Sequence, residues 1–183
     1  MIERNTGLVD ICFLVCTTLD RAGMRAVLVG GSAATFYAPA RCQSLDADFV
    51  VVLSSSTPSP TAALGSLGFV EKGGAYHHPL NSYTIDFPPG PLSIGGEVVR
   101  DYNTVKRNRQ TLYVISRTDC VRDRLAAFYH WDDRSSLGTA VDVARSGPVD
   151  MGKIRAWSED ERQLVKFDEF AARYADDLKS RRR

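Results

Sequence analysis

Hydrophobic residues follow two different periods along the chain, and each period predicts a different kind of element. Between residues 7 and 22 they recur every three to four positions, which predicts an amphipathic helix that ends at Gly23. Two short apolar runs come next, "RAVLVGG" and "ADFVVVL", and both predict strands. The second run is almost continuous, as is typical of a strand buried on both faces. A brief helix, "SAATFYAPA", is expected between them.

The middle of the chain predicts further strands and little helix. A serine- and proline-rich loop at residues 54–61 is followed by a short helix through Leu64 and Leu67. "GFVEKGGAYHHP" and "SYTIDFPPGP" predict two strands joined by a turn at residues 79–81, and "TLYVIS" predicts another strand. We therefore expect a mixed α/β (α+β) core in residues 1–115.

From residue 116 onward the pattern is helical. "SRTDCVRDRLAAFYHW" offers Ser116 or Thr118 as an N-cap and places Asp119 in the first turn. We expect a helical C-terminal region, residues 116–183, packed on the core. Its last helix has an apolar face for this packing, formed by Leu164, Val165, Phe167, Phe170, Ala171, Tyr174 and Leu178.

Composition excludes several classes of protein. The chain has 183 residues, of which 44% are hydrophobic and 25% charged, and this is too apolar for a disordered protein. Its net charge of +1 gives no overall field that favours nucleic acid or an anionic membrane. Only the end, "KSRRR", is strongly basic; a solvated tail is expected there, with RNA contact as the alternative. Without a signal peptide, a membrane span or a C-x-x-C pair among its four cysteines, the sequence predicts a reduced, cytoplasmic protein with no membrane partner.

A strand that ends in two glycines and turns into a helix is one way to bind a phosphate. The first apolar run stops at Gly30 and Gly31, and Ser32 adds a hydroxyl. Glycines let the backbone approach a ligand closely, and the start of a helix directs free N–H groups at an anion. The same pattern also occurs as a simple turn before a helix, so both interpretations stay open at this point.

Three aspartates stand at the ends of predicted strands. Asp46 and Asp48 begin the second apolar run, and residues two apart on a strand point to the same face. Asp86 ends a later strand, just before two prolines. Such carboxylates suit Mg²⁺ beside a phosphate, and three of them would hold two metal ions that stabilise the entering and leaving oxygens. In the structural alternative, one aspartate of the Asp46–Asp48 pair caps the loop, the other forms an ion pair with Arg41, and Asp86 lies at the surface.

Two other kinds of site find less support. The histidines, His77, His78 and His130, lack ligand spacing to a cysteine or carboxylate, so we expect no zinc site. The sequence has no G-x-S-x-G elbow, so we expect no serine hydrolase.

These features come in an order that resembles the minimal nucleotidyltransferases of the DNA polymerase beta superfamily. The pattern is Val29-Gly30-Gly31-Ser32, a spacer of thirteen residues, and Asp46-Ala47-Asp48-Phe49, and the likeness covers roughly residues 25–90. The later segment "DCVRDRLAAFYHWDDRSSLGTAVDVA" resembles abortive-infection and toxin–antitoxin nucleotidyltransferases. In that likeness Arg124 stands where those proteins commonly carry a lysine, and Arg134 and Asp142 fall in the segment that follows.

The resemblance implies a reaction and a role for each residue. A nucleoside monophosphate would pass from an NTP to an acceptor hydroxyl, with release of pyrophosphate. Two Mg²⁺ ions, or Mn²⁺, would be held by Asp46, Asp48 and Asp86, and Asp86 would help to deprotonate the acceptor. The fold would be a small mixed sheet flanked by helices. Gly31 and Ser32, in the turn that begins at Gly30, would contact the β- and γ-phosphates, and Arg41 and Arg124 would neutralise charge on the leaving group. The helical region would close over the nucleotide.

Three functions stay open from the sequence. The first is a magnesium-dependent nucleotidyltransferase, the toxin of a toxin–antitoxin or phage-defence pair, with a tRNA or protein acceptor and a cognate antitoxin. The second is a catalytically silent nucleotide-binding module that acts as a regulatory or antitoxin-like partner. The third is transfer to a small molecule such as an aminoglycoside, for which the sequence shows no clear acidic substrate cleft.

Overall fold

A computed structural model describes residues 2–54 and 59–180 of the chain. The helices are α1 (Leu8–Arg21), α2 (Gly30–Tyr37), α3 (Pro60–Gly65), α4 (Arg117–Trp131), α5 (Arg134–Arg145), α6 (Met151–Asp160) and α7 (Leu164–Ser180). The strands are β1 (Met24–Val29), β2 (Asp46–Ser54), β3 (Val70–Lys72), β4 (Ala75–His78), β5 (Asn81–Asp86), β6 (Ser93–Ile94), β7 (Glu97–Val98), β8 (Tyr102–Arg107) and β9 (Gln110–Ile115). A seven-stranded sheet has the order β3-β4-β5-β2-β1-β9-β8, and β6 and β7 form a separate hairpin. This is the mixed sheet with flanking helices that the sequence predicts.

The two predicted apolar strands form the centre of this sheet. β1 is antiparallel to β2 and parallel to β9, and β2 is in turn parallel to β5. Leu28, Phe49 and Val114 on these strands are fully buried, and burial of each such side chain contributes about 1.5–3 kcal/mol. Helix α1 packs on β1 and β9. Its residues Cys12 and Cys16 are core residues, and all four cysteines of the protein are free and buried.

Beyond β9, all described elements are helices, and the first of them begins at its predicted cap. The Ser116 hydroxyl accepts a hydrogen bond from the Asp119 N–H (3.0 Å) and donates one to the Asp119 carboxylate (2.7 Å). Helix α4 packs on α2 and α5, and α5 packs on α7. None of the helices within residues 2–54 and 59–180 has the length and apolar character needed to cross a membrane.

The predicted apolar face of α7 needs one correction. Phe167 and Phe170 are buried as expected, but Val165 is 85% exposed. Val165 lies one turn before Asp168 and Glu169, so it belongs to the polar stripe of the helix. The Leu178 side chain, together with residues 55–58 of the predicted loop and 181–183 of the basic tail, lies outside what the structure describes.

Two strand predictions are also corrected. The expected strand at "GFVEKGGAYHHP" is the hairpin β3–β4, which turns at Gly73 and Gly74, both with positive φ. Strand β8 and the β6–β7 hairpin were not predicted at all. β8 is the edge strand beside β9, and its residues are exposed or half-buried. It therefore lacks the apolar alternation by which a sequence indicates a strand.

A buried charge network joins α4 to the β6–β7 hairpin and to α6. Arg122 on α4 is fully buried and forms ion pairs with Asp119 (2.8 Å) and with Glu97 on β7. The Lys153 ammonium on α6 also binds Asp119, at 2.9 Å. The Arg122 guanidinium lies 5.1 Å from the ring centroid of Trp157. Because each charge has an opposite partner, the network holds three elements together without an isolated buried ion.

We expect Arg122→Met to lower the free energy of unfolding by about 3 kcal/mol, because it removes one of the two cations that bind buried Asp119 and the cation that binds Glu97. The methionine keeps much of the packing against Trp157, so the decrease in stability reflects the loss of the positive charge. Urea denaturation measures the change. Arg155→Met, in an exposed 3.8 Å pair with Glu159, is the matched control and should change stability by less than about 1 kcal/mol. Equal effects of the two substitutions would contradict the prediction.

Candidate active site

The register of two parallel strands brings the three predicted aspartates together. Asp48 on β2 lies directly opposite Asp86 on β5, and Asp46 lies two residues earlier on the same face. One carboxylate oxygen from each residue lies within 4.8 Å of the other two, and all three side chains are half-buried. Within the described part of the chain, this is the one group of three or more acidic, histidine or cysteine side chains close enough to share a metal ion.

The glycine turn lies directly against this cluster. Val29, the last residue of β1, is the register partner of Asp48, so the turn that follows passes over the Asp48 side chain. Gly30 has φ +66°, and a Cβ at this position would come within 2.6 Å of the Asp48 carboxylate. Only glycine therefore fits between the strand, the helix and the carboxylate. Helix α2 begins at Gly30, two residues earlier than the sequence predicts.

Two serine hydroxyls connect the turn to β2. Buried Ser32 donates a hydrogen bond to the Val29 carbonyl (2.7 Å) and accepts one from the Asp48 N–H (3.2 Å). The Ser44 hydroxyl donates to the Asp46 carboxylate at 2.6 Å. Ser32 thus fixes the backbone at Asp48, and its contact with phosphate stays a prediction. Sequence reasoning missed Ser44, although its position two residues before Asp46 suggests a side chain on the same face.

Burial and mutual repulsion change the acidity of the cluster. Burial raises the pKa of Asp48 to about 6, and the negative charges of Asp46 and Asp86 add to the increase. Arg124 opposes it. Without a cation, Asp48 therefore holds its proton over a wider pH range than an exposed aspartate does.

The two predicted arginines lie in different surroundings. Arg124 on α4 is close enough to act on the charge of Asp48, and it donates from Nε (2.9 Å) and a terminal nitrogen (2.6 Å) to the Asp123 carboxylate. Arg41 is 57% exposed and pairs with Asp142 at 3.7 Å. The alternative in which Arg41 pairs with a β2 aspartate is therefore not what the structure shows. Sequence reasoning also missed Asp123.

Arg134, from the segment after Arg124, points elsewhere. Its guanidinium pairs with Glu169 on α7 at 2.6 Å. Asp142, from the same segment, lies between Arg41 and Arg145. These contacts hold α5 to its neighbours, and they leave Arg124 as the predicted arginine whose charge acts on the aspartates.

The chemistry of the cluster suits a hard divalent cation. Carboxylate oxygens are the ligands that Mg²⁺ prefers, and Mg²⁺ normally uses one or two carboxylates together with water and phosphate oxygens. Burial is the main cause of the raised pKa of Asp48, and the negative charges of Asp46 and Asp86 add to it. Asp46, Asp48 and Asp86 therefore fit one or more such ions beside the glycine turn.

Comparison with known proteins supports the fold. Neither the protein-family models nor the curated proteins include a match to this chain. Among solved structures, it is similar to an antigenic nucleotidyltransferase-like protein from Paracoccidioides brasiliensis, with a TM-score of 0.61 and 15% sequence identity over 97% of this chain and 93% of that one. The chain has a nucleotidyltransferase-like fold. At this identity the likeness concerns the fold, and activity has to be argued from the site.

We expect Gly30→Ala to destabilise the protein by about 1–3 kcal/mol, because alanine is strained at positive φ and its Cβ would displace the Asp48 carboxylate. It should also abolish any stabilisation by Mg²⁺. Urea denaturation with and without Mg²⁺ measures both effects. Gly138→Ala is the matched control, since a Cβ there meets nothing within 4 Å. If the two variants respond alike to Mg²⁺, the close approach at Gly30 is unimportant.

The metal-free protein should become less stable, relative to an Asp48→Asn variant, as the pH rises. The folded state binds the Asp48 proton more tightly than the unfolded chain does, so this residue favours folding below about pH 4 and loses that contribution as the pH passes about 6. With EDTA present, the urea midpoint of Asp48→Asn should exceed that of the wild type at about pH 7.5, and the excess should shrink at about pH 4.5. Asp160→Asn, at an exposed position, should show no such trend. An excess that does not change with pH would refute the prediction.

Proposed function

We propose that this protein is a magnesium-dependent nucleotidyltransferase that moves a nucleoside monophosphate from an NTP to an acceptor hydroxyl. The observation that carries the proposal is the convergence of Asp46, Asp48 and Asp86 beside a glycine turn, on a nucleotidyltransferase-like fold. Fold likeness alone would not suffice, because one fold serves many functions.

The glycine turn and Arg124 bind the triphosphate. Gly30 and Gly31 let the backbone come close to the phosphates, and the start of α2 favours their negative charge. The charge of Arg124 acts on Asp48 while its guanidinium hydrogen-bonds to Asp123, and from this position it would neutralise charge on the pyrophosphate as that group leaves. Exposed Arg41 contributes more weakly, from the edge of the site.

The three aspartates would hold two Mg²⁺ or Mn²⁺ ions, which when bound would supply electrostatic stabilisation of the entering and leaving oxygens. Asp86 is on β5, which lies on the side of β2 away from the glycine turn. It therefore faces the approaching acceptor and takes the proton of its hydroxyl. A bond forms between the acceptor oxygen and the α-phosphorus, the bond to the β-phosphate oxygen breaks, and pyrophosphate leaves.

The biological setting is part of the same proposal. The helical region, residues 116–183, packs on the core, residues 1–115, and closes over the nucleotide. The acceptor is an RNA such as tRNA, or a protein hydroxyl, and the enzyme is the toxin of a toxin–antitoxin or phage-defence pair with a cognate antitoxin. Four free thiols suit a reducing compartment, the cytoplasm.

Labelling with each of the four NTPs tests the proposal. Purified protein, Mg²⁺, an α-labelled NTP and either total RNA or lysate protein should give a labelled acceptor and pyrophosphate. Asp48→Ala should lower the rate by about a thousandfold or more, because loss of a metal ligand removes several kcal/mol of transition-state stabilisation. Its circular dichroism spectrum should stay that of the wild type. Asp160→Ala is the control and should label normally.

Two results would overturn the proposal. Normal labelling by Asp48→Ala would show that the cluster is not catalytic. Tight NTP binding by the wild type without transfer to any acceptor would instead favour the silent nucleotide-binding module.

A further inference from the structure

Ser44 lies between the glycine turn and the aspartates and contacts both. Its N–H donates a hydrogen bond to the Thr35 hydroxyl (3.0 Å), which donates in turn to the Gly31 carbonyl (3.0 Å). A Cβ on Gly31 would lie only 3.0 Å from the Ser44 hydroxyl. The position of Ser44 is therefore set by helix α2, through Thr35 and Gly31.

The Ser44 hydroxyl holds one oxygen of Asp46. It donates to Asp46 Oδ1 at 2.6 Å, the short distance typical of a hydroxyl bound to an ionised carboxylate. Among residues 2–54 and 59–180, no other side chain is seen to donate a hydrogen bond to Asp46, Asp48 or Asp86. Asp46 Oδ1 is thus the oxygen of this cluster that a side-chain donor holds in place.

We propose that Ser44 is a specificity-determining residue that makes Asp46 a one-oxygen ligand and thereby favours Mg²⁺ over Ca²⁺. The inference rests on the metal site of the proposed function. Mg²⁺ requires near-ideal octahedral geometry and binds few carboxylates, through single oxygens. Ca²⁺ takes six to eight oxygens and often binds both oxygens of one carboxylate. A hydroxyl bonded to Oδ1 favours binding of the cation through a single oxygen of Asp46 and opposes binding through both oxygens.

The bond also orients the ligand before the cation arrives. Outer partners that hydrogen-bond to metal ligands fix their orientation, and their loss typically lowers metal affinity by about 10–100-fold. In Ser44→Ala, Asp46 would rotate freely and offer both oxygens. Affinity for Mg²⁺ should fall by about tenfold, and affinity for Ca²⁺ should stay the same or rise.

Metal binding without nucleotide gives a test that does not depend on activity. Mn²⁺ binding is followed by electron paramagnetic resonance, and bound Mn²⁺ is then displaced by Mg²⁺ or by Ca²⁺. The ratio of the two displacement affinities should shift toward Ca²⁺ by about tenfold in Ser44→Ala. Ser44→Thr keeps the hydroxyl and should retain the wild-type ratio. Ser82→Ala, at an exposed serine of β5, is the matched control.

A second variant covers the case in which Ser44→Ala does not fold. Ser44→Cys keeps the size of the side chain but has only a weak donor, and it should shift the ratio in the same direction. If wild type binds Mn²⁺ and both variants keep its Mg²⁺-to-Ca²⁺ ratio, the role of Ser44 is wrong and the proposed function stands. If wild type binds no Mn²⁺, both the role of Ser44 and the metal site of the proposed function are wrong.

Discussion

Repulsion among three carboxylates is the interaction on which this structure depends. Oxygens of Asp46, Asp48 and Asp86 lie within 4.8 Å of one another, and two of these residues are direct register partners on adjacent strands. Burial and the neighbouring charges raise the pKa of Asp48 to about 6, so the metal-free fold maintains an unfavourable arrangement. A carboxyl group whose pKa is perturbed by burial and by neighbouring charges often marks a functional site, because a cation or substrate can offset the cost of keeping it charged.

The rest of the fold keeps these groups in place. The β2–β5 register sets the aspartates opposite one another, and the absence of a side chain at Gly30 lets the turn approach Asp48. Ser32 and Ser44 then hold the backbone of one aspartate and the side chain of the other. On the helical side, α4 carries Arg124, whose charge acts on Asp48, and fully buried Arg122, which fixes the helix through its ion pair with Asp119. The glycine turn and the three aspartates are therefore connected through a few short contacts.

The sequence predicts the centre of this site better than its surroundings, for a physical reason. The strand period of two places Asp46 and Asp48 on one face whatever the rest of the chain does, and their pairing with Asp86 needs only neighbouring strands. Contacts between distant residues carry no such local pattern. The pairing of Arg41 with Asp142 joins a loop to α5 across a long stretch of sequence, and the edge strand β8 has too few buried residues to show alternation. Val165 on α7 was wrongly assigned to the buried face of the helix. Its position is next to that face, and its hydrophobicity alone does not show that it belongs to the polar stripe.

The most direct measurement is the anomalous scattering of Mn²⁺ in crystals soaked with Mn²⁺ and a non-hydrolysable NTP analogue. The account predicts a strong peak among the three carboxylates, about 2.1 Å from oxygens of Asp46, Asp48 and Asp86, with the analogue's phosphates against the Gly30–Gly31 turn. A peak elsewhere, or a structure in which Asp86 turns away from the other two while nucleotide is bound, would contradict it.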